Sequence, residues 1–285
     1  MNLPPVVRIW RLRGIDLTLD RPRIMGVVNV TPDSFSDGGD FLDADAAIEH
    51  GLRLIEEGAD LIDVGGESTR PGAAPVLVEE ELRRVIPVVE ALAAARALVS
   101  IDTSKAHVAA RAIDAGAIVV NDITALGDPG MAGVVSKHQV GLVLMHTQGS
   151  PQTMQVEPSY SDVVGEVSGF LIERAAAAEA AGVERTSIAI DPGIGFGKTV
   201  DHNLVLLRDL GVLADLGYPL LVGTSRKSFL GKVTGATALE DRDLASAVSV
   251  ALAIERGADI VRVHNVSRCR EAALLTLAMV RGSGR

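Results

Sequence analysis

The chain has 285 residues, of which 47% are hydrophobic but only 3% aromatic, and a formal net charge of −10. That length can bury a large core, which must be aliphatic and Ala-rich. The acidic balance excludes general affinity for nucleic acid or an anionic membrane, so any anionic ligand needs local positive partners.

In chain order, residues 6–20 read as two short alternating strands turning near Gly14. Eight short apolar runs follow, each ending abruptly on a polar residue. They are 24–28 before Asn29, 61–62 before Asp63, 98–101 before Asp102 and 118–120 before Asn121. Then come 142–145 before His146, 188–190 before Asp191, 220–223 before Thr224 and Ser225, and 260–263 before His264. Helical stretches are predicted near 43–57, 77–95, 105–115, 129–138, 159–181, 201–216, 240–256 and 267–281, with Pro129 opening the fourth. Continuous Val/Ile/Leu runs suit strands buried on both faces of a parallel sheet. Eight such βα units closing on one another make an α/β fold, the (β/α)8 TIM barrel, with its chemistry at the C-terminal strand ends. The whole chain, 1–285, reads as one such domain, and residues 1–22 as a β-hairpin extension closing the barrel bottom. The polar run ends are expected to converge on one mouth. The long connections 31–42, 67–78 and 148–158 are candidate lids and clamps.

Cys269 is the only cysteine, so no intrachain disulfide forms, and it reads as a packed or surface thiol. No apolar stretch approaches the roughly 20 residues of a membrane span. Pro4, Pro5 and Arg8 come too early for a signal-peptide core, and a cytoplasmic location is expected.

Asn29 at a strand end is either a magnesium ligand through its amide oxygen or a turn former before Thr31-Pro32. Arg70, in a Gly/Pro-framed loop, suits a diphosphate or a surface ion pair. Asp102, Asn121 and Asp191 could read a heterocycle edge, since a carboxylate accepts parallel N–H bonds while an amide both donates and accepts. Asp102 could equally begin a helix, and Asp191 could serve the turn at Pro192-Gly193. The segment 191–199 ends like a phosphate-binding loop, but Pro192 stands where that motif needs glycine, which excludes the nucleoside-triphosphate reading. Its glycines instead let backbone approach a flat ligand, with Phe196 as an apolar wall. Lys227, Arg262 and His264 gather after the seventh and eighth runs, where barrels favour anions. Period-two alternation points Arg262 and His264 the same way. His50, His107, His138 and His202 fall in helical stretches and read as solvated or packed.

These residues sit in segments that resemble the bacterial dihydropteroate synthases. The matching motifs are MGVVNVTPDSFSDGG at 25–39, DVGGESTRPGA at 63–73, SIDT at 100–103 and VND at 120–122, followed by DPGIGFGKT at 191–199, GTSRKSFLG at 223–231 and VRVH at 261–264. The resemblance implies condensation of para-aminobenzoate with 6-hydroxymethyl-7,8-dihydropterin diphosphate, with Mg2+ as cofactor. It implies Asn29 as the metal ligand; Asp102, Asn121, Asp191 and Lys227 as pterin readers; and Thr69, Arg70, Arg262 and His264 as diphosphate contacts. Phe35, Pro71, Phe196, Lys227 and Ser228 would form the aminobenzoate pocket, with Met145 and Gly223 also lining the substrates. Asp102, Lys227, Arg262 and His264 are the implied catalytic set. A homodimer is expected, with sulfonamides as competitors of para-aminobenzoate. The rival readings are a pterin-dependent corrinoid methyltransferase domain, which would need no diphosphate clamp, and a catalytically silent pterin-binding paralogue. Two departures from the pattern stand out: Asn265 where an aspartate commonly follows the histidine, and Thr147 after His146 where methionine is frequent.

Overall fold

In the computed structural model, the described residues are 8–31, 40–69, 72–149 and 152–280. Ile9–Leu12 (β1) and Ile15–Thr18 (β2) pair antiparallel. The two-residue turn between them places Arg13 and Gly14 at φ 47° and 82°, the geometry that matches hairpin twist. The barrel strands are Arg23–Asn29 (β3), Leu61–Gly65 (β4), Val99–Asp102 (β5), Val119–Asp122 (β6), Gly141–Met145 (β7), Ile188–Asp191 (β8), Leu221–Val222 (β9) and Ile260–Val263 (β10). All pair parallel, in the order β8-β7-β6-β5-β4-β3-β10-β9. A bridge between Ile190 and Leu220 joins the two ends of this row and closes the barrel. Every residue of β4 to β8 is buried, which explains their largely apolar character, interrupted at Asp63 and Ser100: one face packs on helices, the other fills the barrel.

Ten helices cover the outside among the described residues. They are Asp40–Glu56 (α1), Val78–Ala94 (α2), Ala106–Asp114 (α3), Met131–His138 (α4), Val163–Ala180 (α5), Val200–Arg208 (α6), Gly211–Ala214 (α7), Ser228–Thr234 (α8), Asp243–Glu255 (α9) and Val266–Val280 (α10). Three differ from expectation. Pro129 does not open α4: the Asp128 carboxylate accepts from Gly130 N at 2.8 Å, so the chain completes a turn first. The stretch 201–216 breaks into α6 and α7, where Leu210 and Leu213 both turn into the core beside Gly211, a weak helix former. Helix α8 has seven residues, too few to show a period.

The core has two compartments. The larger lies between strands and helices. The smaller closes the N-terminal end of the barrel, where Trp10, Leu12 and Leu19 from the hairpin segment meet Met25, Val119 and Leu221. Trp10 is fully buried and donates Nε1–H to the Ser187 carbonyl at 2.9 Å. A side chain at Gly141 would fall 2.4 Å from Leu12 Cδ2, so the plug fixes glycine at the root of β7. The hairpin therefore closes the barrel bottom. Trp10→Ala should cost about 3–5 kcal/mol, the range for deleting a buried aromatic. Urea unfolding followed by circular dichroism checks this; a cost under about 1 kcal/mol, typical of surface sites, would mean the plug is dispensable.

Candidate active site

The C-terminal strand ends meet in a cavity of about 450 Å3. Asn29, Thr69, Phe196, Lys227, Arg262 and His264 line it, with Ser228 at its edge. Arg262 and His264 do share one face, as strand alternation requires. Buried on the neighbouring strands lie Asp63, within β4, and Asp102, Asn121, Met145 and Asp191, at or near strand ends. Register places Asp102 beside Asn121 and Met145 beside Asp191. Gly223 packs against the Arg262 stem: a Cβ there would touch Arg262 Cβ at 3.6 Å. Phe35, Arg70 and Pro71 lie outside the described residues.

The floor is organised around one guanidinium. Arg262 donates Nε–H to Asp63 Oδ2 at 2.6 Å and an Nη2 hydrogen to Asp102 Oδ2 at 2.8 Å. Asn121 Nδ2 donates to the same Asp63 oxygen at 3.0 Å. Asp63 Oδ1 and Asn121 Oδ1 are buried with no hydrogen-bond partner. The apolar run 61–62 stops at Asp63, but β4 continues through it to Gly65, so Asp63 sits inside the strand and joins the floor through Arg262. Burial pushes the Asp102 carboxyl up to about 7, opposed by Arg262 and reinforced by Asp63. Two carboxylates sharing one cation leave a net negative charge, and a proton relieves it.

The second half of the floor belongs to the 191–199 segment. Asp191 Oδ1 accepts from Gly193 N at 2.7 Å, so the turn reading of Asp191 holds while its other oxygen makes no such bond. Gly193 has φ 64°, and a Cβ there would lie 1.8 Å from the His146 carbonyl oxygen. Gly195, at φ 86°, is pressed against Lys227 Cδ. Lys227 donates to the Ile194 carbonyl and sits 4.3 Å over the Phe196 ring. Burial lowers the Lys227 ammonium to about 7, with Asp191 opposing, and burial raises Asp191. Lys198, the residue that made the segment look like a phosphate loop, instead folds inward. It donates to the Phe196 carbonyl at 2.9 Å and meets His146 Nδ1 at 3.0 Å. Burial and Lys198 lower His146 to about 3, so it is neutral and can accept there. The sequence reading gave neither Lys198 nor His146 a role.

On the rim, Ser225 Oγ bonds His264 N and Nδ1, each at 3.1 Å. Behind the loop after β4, Lys105 joins Glu67 to the fully buried Glu81. Cys269 is buried and its thiol is pushed up to about 12 by burial, as a packed residue should be. No helix among the described residues is long and apolar enough to cross a membrane.

A closed (β/α)8 barrel with buried acids, an amide and cations meeting at its C-terminal mouth defines an enzyme site. The sequence profile of the pterin binding enzymes matches residues 25–264. The dihydropteroate synthase of Neisseria meningitidis serogroup C is 45% identical over 268 residues, covering 93% of this chain and 95% of the relative. The Xanthomonas albilineans dihydropteroate synthase solved with 4-aminobenzoic acid is 49% identical with a TM-score of 0.91, covering 96% of this chain and 98% of that one. The same enzyme solved with 7,8-dihydropteroate has 48% identity and a TM-score of 0.86, covering 94% and 98%. The chain belongs to the pterin-binding enzyme family, among its dihydropteroate synthases.

The Asp102 proton gives a prediction. Its folded pKa of about 7 lies above the ordinary 3.8, so the folded state holds the proton more tightly. The resulting stabilisation is complete below the unfolded pKa and is lost as pH rises through about 7. In Asp102→Asn, the fall of the urea midpoint between pH 5 and 7 should flatten. Equal slopes in the two proteins would place that proton elsewhere.

Proposed function

We propose that this chain, as a cytoplasmic transferase of folate biosynthesis, condenses para-aminobenzoate with 6-hydroxymethyl-7,8-dihydropterin diphosphate, releasing 7,8-dihydropteroate and pyrophosphate. The observation that carries the reading is the buried Asp102–Asn121–Asp191–Lys227 set opening beside a cation-rimmed cavity, in a chain of this family. A pterin edge offers the donors that buried Asp191 and the unpartnered Asn121 Oδ1 need. Lys227, lying between Asp191 and the Phe196 ring, fixes the pterin and borders the aminobenzoate. Thr69, Arg262 and His264 supply donors and charge to the diphosphate as its bond to the exocyclic methylene breaks and the electron pair leaves on oxygen. Asp102 stabilises positive charge on the ring. The aniline nitrogen, neutral at pH 7, attacks the methylene and then loses its proton to water, so no protein base is required. The catalytic work is electrostatic positioning.

Asn29 offers one amide oxygen at the cavity wall, and the described residues contain no group of three His, Cys, Asp or Glu able to hold an ion. That donor set fits magnesium, which takes few protein ligands and completes its shell with phosphate and water. Bound there, the ion would neutralise diphosphate charge. Phe35, Arg70 and Pro71, proposed for the same clamp, lie outside the described residues. Sulfonamides, which mimic para-aminobenzoate, are proposed competitors. The proposed homodimer would use α9 and α10, where Leu244, Val248 and Leu252 recur at helical spacing beside Leu275 and Met279, all exposed.

Release of pyrophosphate in a coupled assay should require both substrates together; release without the aminobenzoate, or none with both, would overturn the reading. Asp191→Asn should lower kcat/KM on the order of 10⁴-fold, the penalty for mismatching a site built around a hydrogen bond. Chelating magnesium should weaken diphosphate binding in calorimetry but not binding of the free hydroxymethylpterin; equal weakening would make the metal structural. Light scattering should give twice 29.8 kDa, falling to the single mass in Leu244→Glu/Val248→Lys.

A further inference from the structure

Arg226 stands between Ser225, which holds His264, and Lys227, which reaches the floor. Its φ is 59°, the left-handed region that a residue with a Cβ enters at a steric cost. Such a conformation persists only where the surroundings enforce it. Three groups from one neighbouring element do so. The guanidinium makes a two-point ion pair with Asp243, Nε to Oδ1 at 2.7 Å and Nη2 to Oδ2 at 3.0 Å. The Arg226 amide donates to Ser246 Oγ at 2.9 Å, and its carbonyl accepts from Arg242 Nη1 at 3.1 Å. Asp243 and Ser246 lie in the first turn of α9, and Arg242 is the residue that precedes and caps it.

Asn265 is the departure from the family pattern at the position where an aspartate commonly follows the histidine. Its amide donates to Asp243 Oδ2 at 2.9 Å, the oxygen that also faces Arg226. An aspartate at 265 would there set two carboxylates against each other. With asparagine, the same oxygen accepts from both sides.

We propose that Arg226 is a positioning residue of the mouth, locked from α9 by Asp243, and that in this chain Asp243 has taken over the acidic partnership that the residue after His264 would otherwise hold. The lock fixes the backbone on both sides of Arg226, and with it the directions of Ser225 and Lys227. Arg226 and Arg242 line the cavity, and the Arg226 guanidinium is bound to Asp243. The kinetic arm of the test rests on the proposed synthase reaction; the exchange arm does not.

The test is a charge swap. In Asp243→Asn, kcat/KM for the condensation should fall about tenfold, as expected for losing one partner of a half-buried pair. Deuterium exchange in the ligand-free protein should quicken to a similar degree in the peptide spanning 223–231. Adding Asn265→Asp to that variant should restore both, because a carboxylate is again one hydrogen bond from the guanidinium's neighbourhood. A general loss of stability would not be rescued by a change at 265. Arg226→Gly provides the control that keeps the backbone free to adopt φ 59°: it should show the kinetic loss and be insensitive to Asn265→Asp. Unchanged exchange in Asp243→Asn, or no rescue in the double variant, overturns the proposal. Restored exchange in a protein whose parent releases no pyrophosphate would uphold the lock while overturning the synthase reading.

Discussion

The mouth depends on Arg262. Asp63 within β4 and Asp102 at the end of β5 lie on adjacent strands, and burying either carboxylate without a partner is expensive. One guanidinium on β10 spans both. Removing one partner of a buried ion pair typically costs about 3–5 kcal/mol. A domain holds only about 5–15 in total. The polar floor is therefore tolerated because a cation was built into it, and the same cation gives the floor an anion-facing side. Across the mouth the charges of Asp191 and Lys227 offset each other at longer range, with Lys227 bonded to the Ile194 carbonyl.

The barrel separates its two tasks along its axis. At the N-terminal end, Trp10 and Leu12 seal an apolar plug with one satisfied indole bond. At the C-terminal end, polar atoms remain buried and unpartnered, an arrangement that lowers stability and leaves acceptors for a ligand.

Strand positions, barrel class and the convergence of Asn29, Asp102, Asn121, Asp191 and His264 were legible because burial on both faces leaves a continuous apolar run, and its end is visible in the sequence. The hairpin was legible from alternation and from Gly14. The break between α6 and α7 was not, since it follows from how Leu210 and Leu213 reach the core. Nor was Lys198 folding back onto His146: the residues are 52 positions apart, and a contact between the loops after neighbouring strands leaves no periodic trace. The partner of Arg226 was hidden for the same reason, although the asparagine at 265 marked the place.

The strand β9 is only two residues long, and it meets β8 through the single bridge from Ile190 to Leu220, supported by Ile190 N donating to Pro219 O at 2.9 Å. Every other neighbouring pair shares two to five registered positions. The ring thus has a thin seam, and local opening follows the path with fewest bonds to break. That seam runs between the strand ending at Asp191 and the strand leading to Lys227. A flat ligand that touched both side chains would act as a further rung across it, so occupancy of the mouth and closure of the cylinder would become one equilibrium.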